Sequence, residues 1–486
     1  FFMNNNFLHN KDHIFSRKPS SFIFLIAMWI MSALLLSIPL SATFSQLEKM
    51  LILFFPVVTT LLLTIISPED GFTFWAIGLT ILVTQTGYQL DLGTVTTSAL
   101  ELLILFLLLI LVFVERMGKK LVKLEDIPGY RWLFAFIIYS VAIFVIGMIR
   151  GDSFPKAILE FKGFVLYPML LYLLIAGVKS KRLIKWLVVY VIAWYSMLAV
   201  RAIWDFINNV DVQVFYDPYR SSGEYAPINI FGSVSMAVAV LTLNIALSKN
   251  DKQKTTHNWF YLCLSGLLFL GGITSIARTA LIVFFVGALI IAVNKKLKFV
   301  SLLLISFVLI YVIYFSFPGL FQLNVFNRLF QLSDSSTYRR LDYLQSGWEA
   351  LKVYWPVGAG WGRGFIYNEI TGLRPSGNIP WYHNDYLNLA VQVGIPGLIF
   401  YLGFWASVIF SAFKCIKSNQ NLTPYTLGSL AALCGLLTGS LFEHFLWRPD
   451  MAGFVVWMGG ILIISINLIQ SSPSEKLGNE KNLLHR

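Results

Sequence analysis

Apolar runs of roughly 17 to 25 residues, the length a helix needs to cross the hydrocarbon core of a bilayer, recur along this chain from about residue 22 to residue 469. A chain that is 57% hydrophobic and only 13% charged lies outside the range of water-soluble domains, and its mean hydropathy of +0.70 agrees. The runs predict about fourteen spans, at 22–40, 51–66, 72–90, 94–114, 132–149, 161–177, 183–204, 227–247, 258–274, 279–294, 299–317, 394–412, 423–441 and 450–469. The expected fold class is therefore an all-α polytopic membrane protein.

The basic residues orient it. With the N-terminus inside, the inner segments hold 23 of the 37 Lys and Arg residues and 9 of the 25 Asp and Glu residues, a net +14, while the rest of the chain carries a net −2. That asymmetry is the signature of loops retained on the cytoplasmic side, so the expectation is a plasma (inner) membrane protein with both termini cytoplasmic. The +12 total is no sign of nucleic acid, because the charge is scattered over short loops that cannot form a basic groove. Residues 1–470 read as a single integral domain without internal repeats, and 471–486 as a disordered cytoplasmic tail. Cys263, Cys415 and Cys434 lie in or beside apolar spans without a Cys-x-x-Cys pair, which points to packing rather than to a disulfide framework or a zinc site.

Between the spans ending near 317 and beginning near 394 stands one long polar and aromatic segment, 318–383, which the charge asymmetry places on the outer face. Asp334, Ser335 or Ser336 can cap a helix in it, and Leu341, Leu344, Trp348, Leu351 and Trp355 then recur at helical spacing as one apolar face. Such a helix is expected to lie against the membrane surface or the top of the bundle. Pro356 ends it, and Gly358-Ala359-Gly360-Trp361-Gly362-Arg363-Gly364 reads as a flexible turn. That run lacks both the dinucleotide glycine spacing and the Lys-Ser/Thr of a phosphate-binding loop, so no nucleotide site is expected.

The segment closes on Trp381-Tyr382-His383-Asn384-Asp385-Tyr386-Leu387. Asn384 or Asp385 can cap a short helix that stops at Gly394, with Pro396 opening the next span. His383 then sits at a helix N-terminus, whose positive dipole end favours the neutral, proton-accepting imidazole. Its company is arginine. Arg278 stands in an outer turn between two spans, Arg339 and Arg340 begin the amphipathic helix, and Arg220 opens an outer loop that enters a span at Asn229. A single interfacial arginine snorkels or pairs with a carboxylate such as Asp217, Glu224, Asp342 or Glu443, but several converging on one outer pocket suit a phosphate, whose oxygens match the guanidinium fork.

These pieces resemble the O-antigen ligase and polysaccharide polymerase superfamily. The resemblance rests on Arg220, Gly223 and Asn229 before a span, Ser275, Arg278 and Ala280, Arg340, Leu341 and Trp348, Pro356-x-Gly358-x-Gly360, and His383-Asn384-x-Tyr386-Leu387, over roughly 215–410. Two departures stand out: Ile276 and Ala277 separate Ser275 from Arg278, and the Arg339-Arg340 doublet offers two candidates for one loop arginine. The resemblance implies a GT-C-like bundle with its catalytic loop at 318–393. It further implies a glycosyltransferase acting on an undecaprenyl-pyrophosphate-linked glycan and an acceptor hydroxyl, without cofactor or metal. Under it His383 would be the base, and Arg278 and Arg340 would hold the pyrophosphate. Arg220, Arg339, Asn384, Tyr386, Trp348 and Trp381 would bind substrate, with Trp361 and Tyr382 as further sugar-stacking candidates. No cluster of side chains in the sequence has metal-ligand spacing. Other polysaccharide assembly proteins are possible partners. The rival reading, a transporter of small anions, would need polar residues lining a path near the midplane, for which Glu101 and Arg201 are the candidates.

Overall fold

The computed structural model describes residues 89–91, 96–98, 125, 127–158, 160–164, 181–208, 228–248, 255–296, 335–363, 382–416, 423–446 and 449–470, all within one unit, Leu79–Arg486. Its longer described helices are α1 (Tyr130–Ile149), α2 (Lys181–Asn208), α3 (Ile228–Ala246), α4 (Thr255–Thr274), α5 (Arg278–Lys295), α6 (Ser335–Tyr354), α7 (Asp385–Ile416), α8 (Thr423–Gly439) and α9 (Pro449–Gln470). Each of the spans expected at 132–149, 183–204, 227–247, 258–274, 279–294, 394–412, 423–441 and 450–469 coincides with one of them. Among the described residues, six helices are long and apolar enough to cross a membrane. The spans at 22–40, 51–66 and 299–317 lie outside the described residues, as do most of 161–177, 72–90 and 94–114.

At the facing ends of the last two, the helical expectation is corrected. Gln89–Asp91 and Thr96–Ser98 are short strands, β1 and β2, paired antiparallel with Gln89 opposite Ser98. Gln89, Asp91 and the Thr-Thr-Ser run make poor hydrocarbon-facing helix, and Thr suits a pleated strand.

α3 packs against α4, α5 and α8, and is almost wholly buried. Small residues let these helices approach: Gly271 faces Ala199, Gly287 faces Val240, and Gly435 faces the backbone of Val283. Hydroxyls bond across the contacts, with Ser235 donating to Leu268 O and Ser265 to Ala239 O, both at 2.8 Å. α1 turns Phe134, Ile138, Val141 and Val145 outward, an apolar face suited to lipid. Cys263 is likewise exposed and free, so it does not pack in the core as expected; Cys415 is buried.

α7 is two helices. Gly394, at φ 70 and ψ 174, breaks it before Pro396, where the short helix was expected to stop. The carbonyls left open by that break are taken by the glycine run, with Ala359 N–H donating to Val391 O at 2.8 Å and Gly360 N–H to Gln392 O at 2.9 Å. In return Ile395 N–H donates to Trp355 O at 3.0 Å. Gly358, at φ 91, lies so close to Gln392 O that no side chain fits there. The run is therefore a buried strap rather than the flexible turn expected from its composition. Arg150 Nη2 donates to Ala359 O at 2.8 Å, and Asp152 pairs with Arg363 at 2.6 Å, fastening the strap to the end of α1.

Candidate functional site

α6 begins at Ser335, as its capping residues predict, but it packs by a different face. Tyr343, Ser346, Ala350 and Leu351 are buried against α7, while Trp348 and Trp355 are 56% and 57% exposed. Small residues decide this. Gly347 brings the helix backbone against Tyr382 and Leu387, a contact that Leu344 or Trp348 would hold apart. The tryptophan side is left outward, where an amphipathic ring meets a membrane interface or a sugar.

Through that contact α6 shapes the turn before α7. His383 adopts φ 50, a left-handed conformation uncommon for a residue with a side chain, and its ring stacks on Tyr343 with centroids 5.5 Å apart. Asn384 caps the helix that follows, its Oδ1 accepting from Leu387 N–H at 2.9 Å. Asp385, fully buried, ties this helix start to the end of α8. Its N–H donates to Ser440 O at 2.9 Å, and its Oδ2 accepts from Phe445 N–H at 2.7 Å and Leu446 N–H at 2.9 Å.

The tie sets a carboxylate opposite the histidine. Glu443, only 3% exposed, holds Oε1 at 3.0 Å from His383 Nδ1 and at 3.1 Å from His444 Nδ1. Its Oε2 accepts from Asn229 Nδ2 at 3.1 Å, at the first turn of α3. A carboxylate there selects the tautomer in which His383 Nδ1–H donates to it, leaving Nε2 as a proton acceptor. Among the described residues His383, Glu443 and His444 also offer ligand atoms within 4.8 Å of one another. That corrects the expectation that no cluster has metal-ligand geometry: Glu443 and His444 are some sixty residues from His383 along the chain, and the tie at Asp385 helps to bring them to it.

The other expected site residues divide. Arg278 opens α5, half-buried, after a turn in which Ile276 takes φ 50 and Ser275 Oγ accepts from Ala277 N–H at 3.3 Å. Ser275 packs on Gly232 of α3, one turn from Asn229, and Thr279 packs on Gly439 of α8, so Arg278 stands at the same end of the bundle as His383. Arg339 and Arg340 lie on α6, a turn before Tyr343. Arg220 and Trp381 fall outside the described residues. Tyr386 donates its hydroxyl to Leu437 O at 2.6 Å, and Asn384 is spent on its cap, so both side chains hold the site together. Trp361 and Tyr382 are buried in protein, Trp361 against Phe161 and Phe164, and are no platforms for sugar. Arg201 donates to Asp205 one turn on, at 2.9 Å, an ion pair within α2.

Removing the tie is expected to loosen the site. Asp385→Ala strands two buried backbone N–H groups, at a cost of about 1–3 kcal/mol each, and should lower the thermal midpoint of the detergent-solubilised protein markedly. Asp385→Asn, which keeps one acceptor oxygen, should lose less; equal midpoints for wild type and Asp385→Ala would refute the tie.

No curated protein matches the chain. Residues 263–402 match the family model described as O-antigen ligase, a stretch that takes in Arg278, the Arg339-Arg340 pair, the glycine strap and His383 but leaves out Asn229 and Glu443. The chain thus carries an O-antigen ligase domain within a multi-pass, helical membrane protein, which supports its place in the O-antigen ligase and polysaccharide polymerase superfamily.

Proposed function

We propose that this protein transfers a glycan from undecaprenyl pyrophosphate to the hydroxyl of an acceptor glycan at the outer face of the inner membrane, as a polymerase or an O-antigen-type ligase. The O-antigen ligase match supports this class of activity in polysaccharide biosynthesis. The observation that carries the mechanism is the contact of His383 Nδ1 with Glu443, itself held by Asn229. His383 Nε2 takes the acceptor proton as the oxygen attacks the anomeric carbon, the bond from that carbon to phosphate breaks, and undecaprenyl pyrophosphate departs. Arg278 and Arg340 take up the charge that develops on it. Arg220, Arg339, Trp348 and Trp381 are proposed to hold the donor and its sugars.

Residues 1–470 are proposed to form a single integral domain with a catalytic loop at 318–393, followed by the tail at 471–486. Both termini lie in the cytoplasm on this reading. The two activities of the superfamily share the donor and differ in the acceptor, either a second lipid-linked repeat or a lipid-anchored core. Offering each to the purified protein tells them apart.

Because the donor bond already stores the energy and arginine supplies the countercharge, transfer should proceed in excess EDTA without ATP or sugar nucleotide. Loss of transfer in EDTA, restored by a divalent ion, would contradict the arginine mechanism. Orientation has its own test. Val357 is half exposed beside the strap, and a cysteine replacing it, in a chain whose three native cysteines are Ala, should react with a membrane-impermeant maleimide from outside. Labelling only from the cytoplasm would reverse the topology.

A further inference from the structure

The geometry points to a second capacity of the same residues: His383, Glu443 and His444 form a site for a zinc-like divalent transition metal, and a metal bound there switches the base off. This inference rests on the proposed role of His383, but metal binding itself does not.

Two imidazoles and one carboxylate are a donor set that suits zinc and its neighbours rather than magnesium or calcium, which prefer oxygen alone. Spacing agrees. Donors about 2.0–2.1 Å from a tetrahedral zinc stand roughly 3.3 Å apart, and Glu443 Oε1 lies 3.0 Å from His383 Nδ1 and 3.1 Å from His444 Nδ1. The set is also held in place. Asn229 fixes the second carboxylate oxygen, Tyr343 stacks on one imidazole, and Asp385 clamps the backbone directly after His444 to the helix that follows His383. Outer partners of this kind orient ligands and strengthen metal binding. Both histidine side chains are 16% exposed, so a metal can enter and a fourth position is left for water.

Binding would change the chemistry of His383. In the metal-free site Nδ1 carries the proton and Nε2 accepts. A metal needs the Nδ1 lone pair, so the Nδ1 proton leaves and neutral imidazole carries its proton on Nε2 instead. With Nε2–H a donor, the ring has no lone pair left to take a proton from an acceptor hydroxyl. Glu443, now a ligand, no longer orients the ring.

The test uses full-length protein in detergent, stripped with EDTA, desalted and titrated with zinc chloride alone. Equilibrium dialysis with metal analysis should show one tightly bound zinc per chain, and His444→Ala or Glu443→Gln should reduce it at least tenfold. His444→Asn, closer in shape, serves if the alanine variant fails to fold. Cobalt substituted for zinc should give the visible absorption of a tetrahedral N/O site, lost in the same variants. Zinc should then abolish glycan transfer by the wild type, with full recovery on adding EDTA. No zinc bound above the level of the His444 variants would overturn the site. One zinc bound with transfer undiminished would overturn the switch. Transfer that is absent without metal and appears with zinc would leave the site standing while removing the metal-free mechanism.

Discussion

His383→Ala should abolish glycan transfer while the protein still accumulates and inserts in the membrane at wild-type level. A positioned general base contributes typically about 10²- to 10⁴-fold, so the residual rate should fall by at least that much. The side chain stacks on Tyr343 and meets Glu443 from the turn before α7, apart from the packing of α3 on α4, α5 and α8, so its removal should leave that helix packing intact. The carboxylate provides a graded companion. Glu443→Gln keeps the shape but replaces a charged acceptor with an amide that can present either face to Nδ1, so the tautomer is no longer selected. The rate should fall less than in His383→Ala, with its loss in turnover rather than in KM for the acceptor. Wild-type transfer by purified His383→Ala protein would remove the base assignment.

The arginines should separate by the geometry of their side chains rather than by their charge. Arg278→Lys and Arg340→Lys retain a cation but lose the two-pronged fork that matches phosphate oxygens, and each should lose most of its activity, on the order of tenfold or more. Arg339→Lys should be milder. Measuring all three with the same donor settles which member of the doublet on α6 meets the pyrophosphate; greater sensitivity at Arg339 would move the assignment by one position. Loss of activity in Arg278→Lys without loss of folding would also show that the two extra residues at Ile276 and Ala277 leave the arginine in place, the turn absorbing them through the positive φ of Ile276.

Membrane character and the spans seen as helices were legible in the chain itself. Length and apolar composition select a helix wherever hydrocarbon must be crossed, and that requirement is local. The start of α6 at Ser335, the cap at Asn384 and the break at Gly394 were legible for the same reason, since helix starts and left-handed backbone depend on a few adjacent residues. Where two weakly apolar segments approached each other at Gln89 and Thr96, local reading failed, because strand pairing is a property of two segments at once.

The site depended on contacts that no local pattern carries. Hydrophobic spacing on α6 predicted a face containing Trp348, but close approach favoured the face with Gly347 and Ala350, and the choice belonged to the partner surface of Tyr382 and Leu387. Glycines near 360 suggested freedom, yet the broken helix at Gly394 needed donors for its open carbonyls, and their backbone supplied them. Glu443 carried no motif at all. It faces His383 because the buried carboxylate of Asp385 binds the backbone that follows it, so the tertiary fold, and not any spacing along the chain, determined which residue orients the histidine.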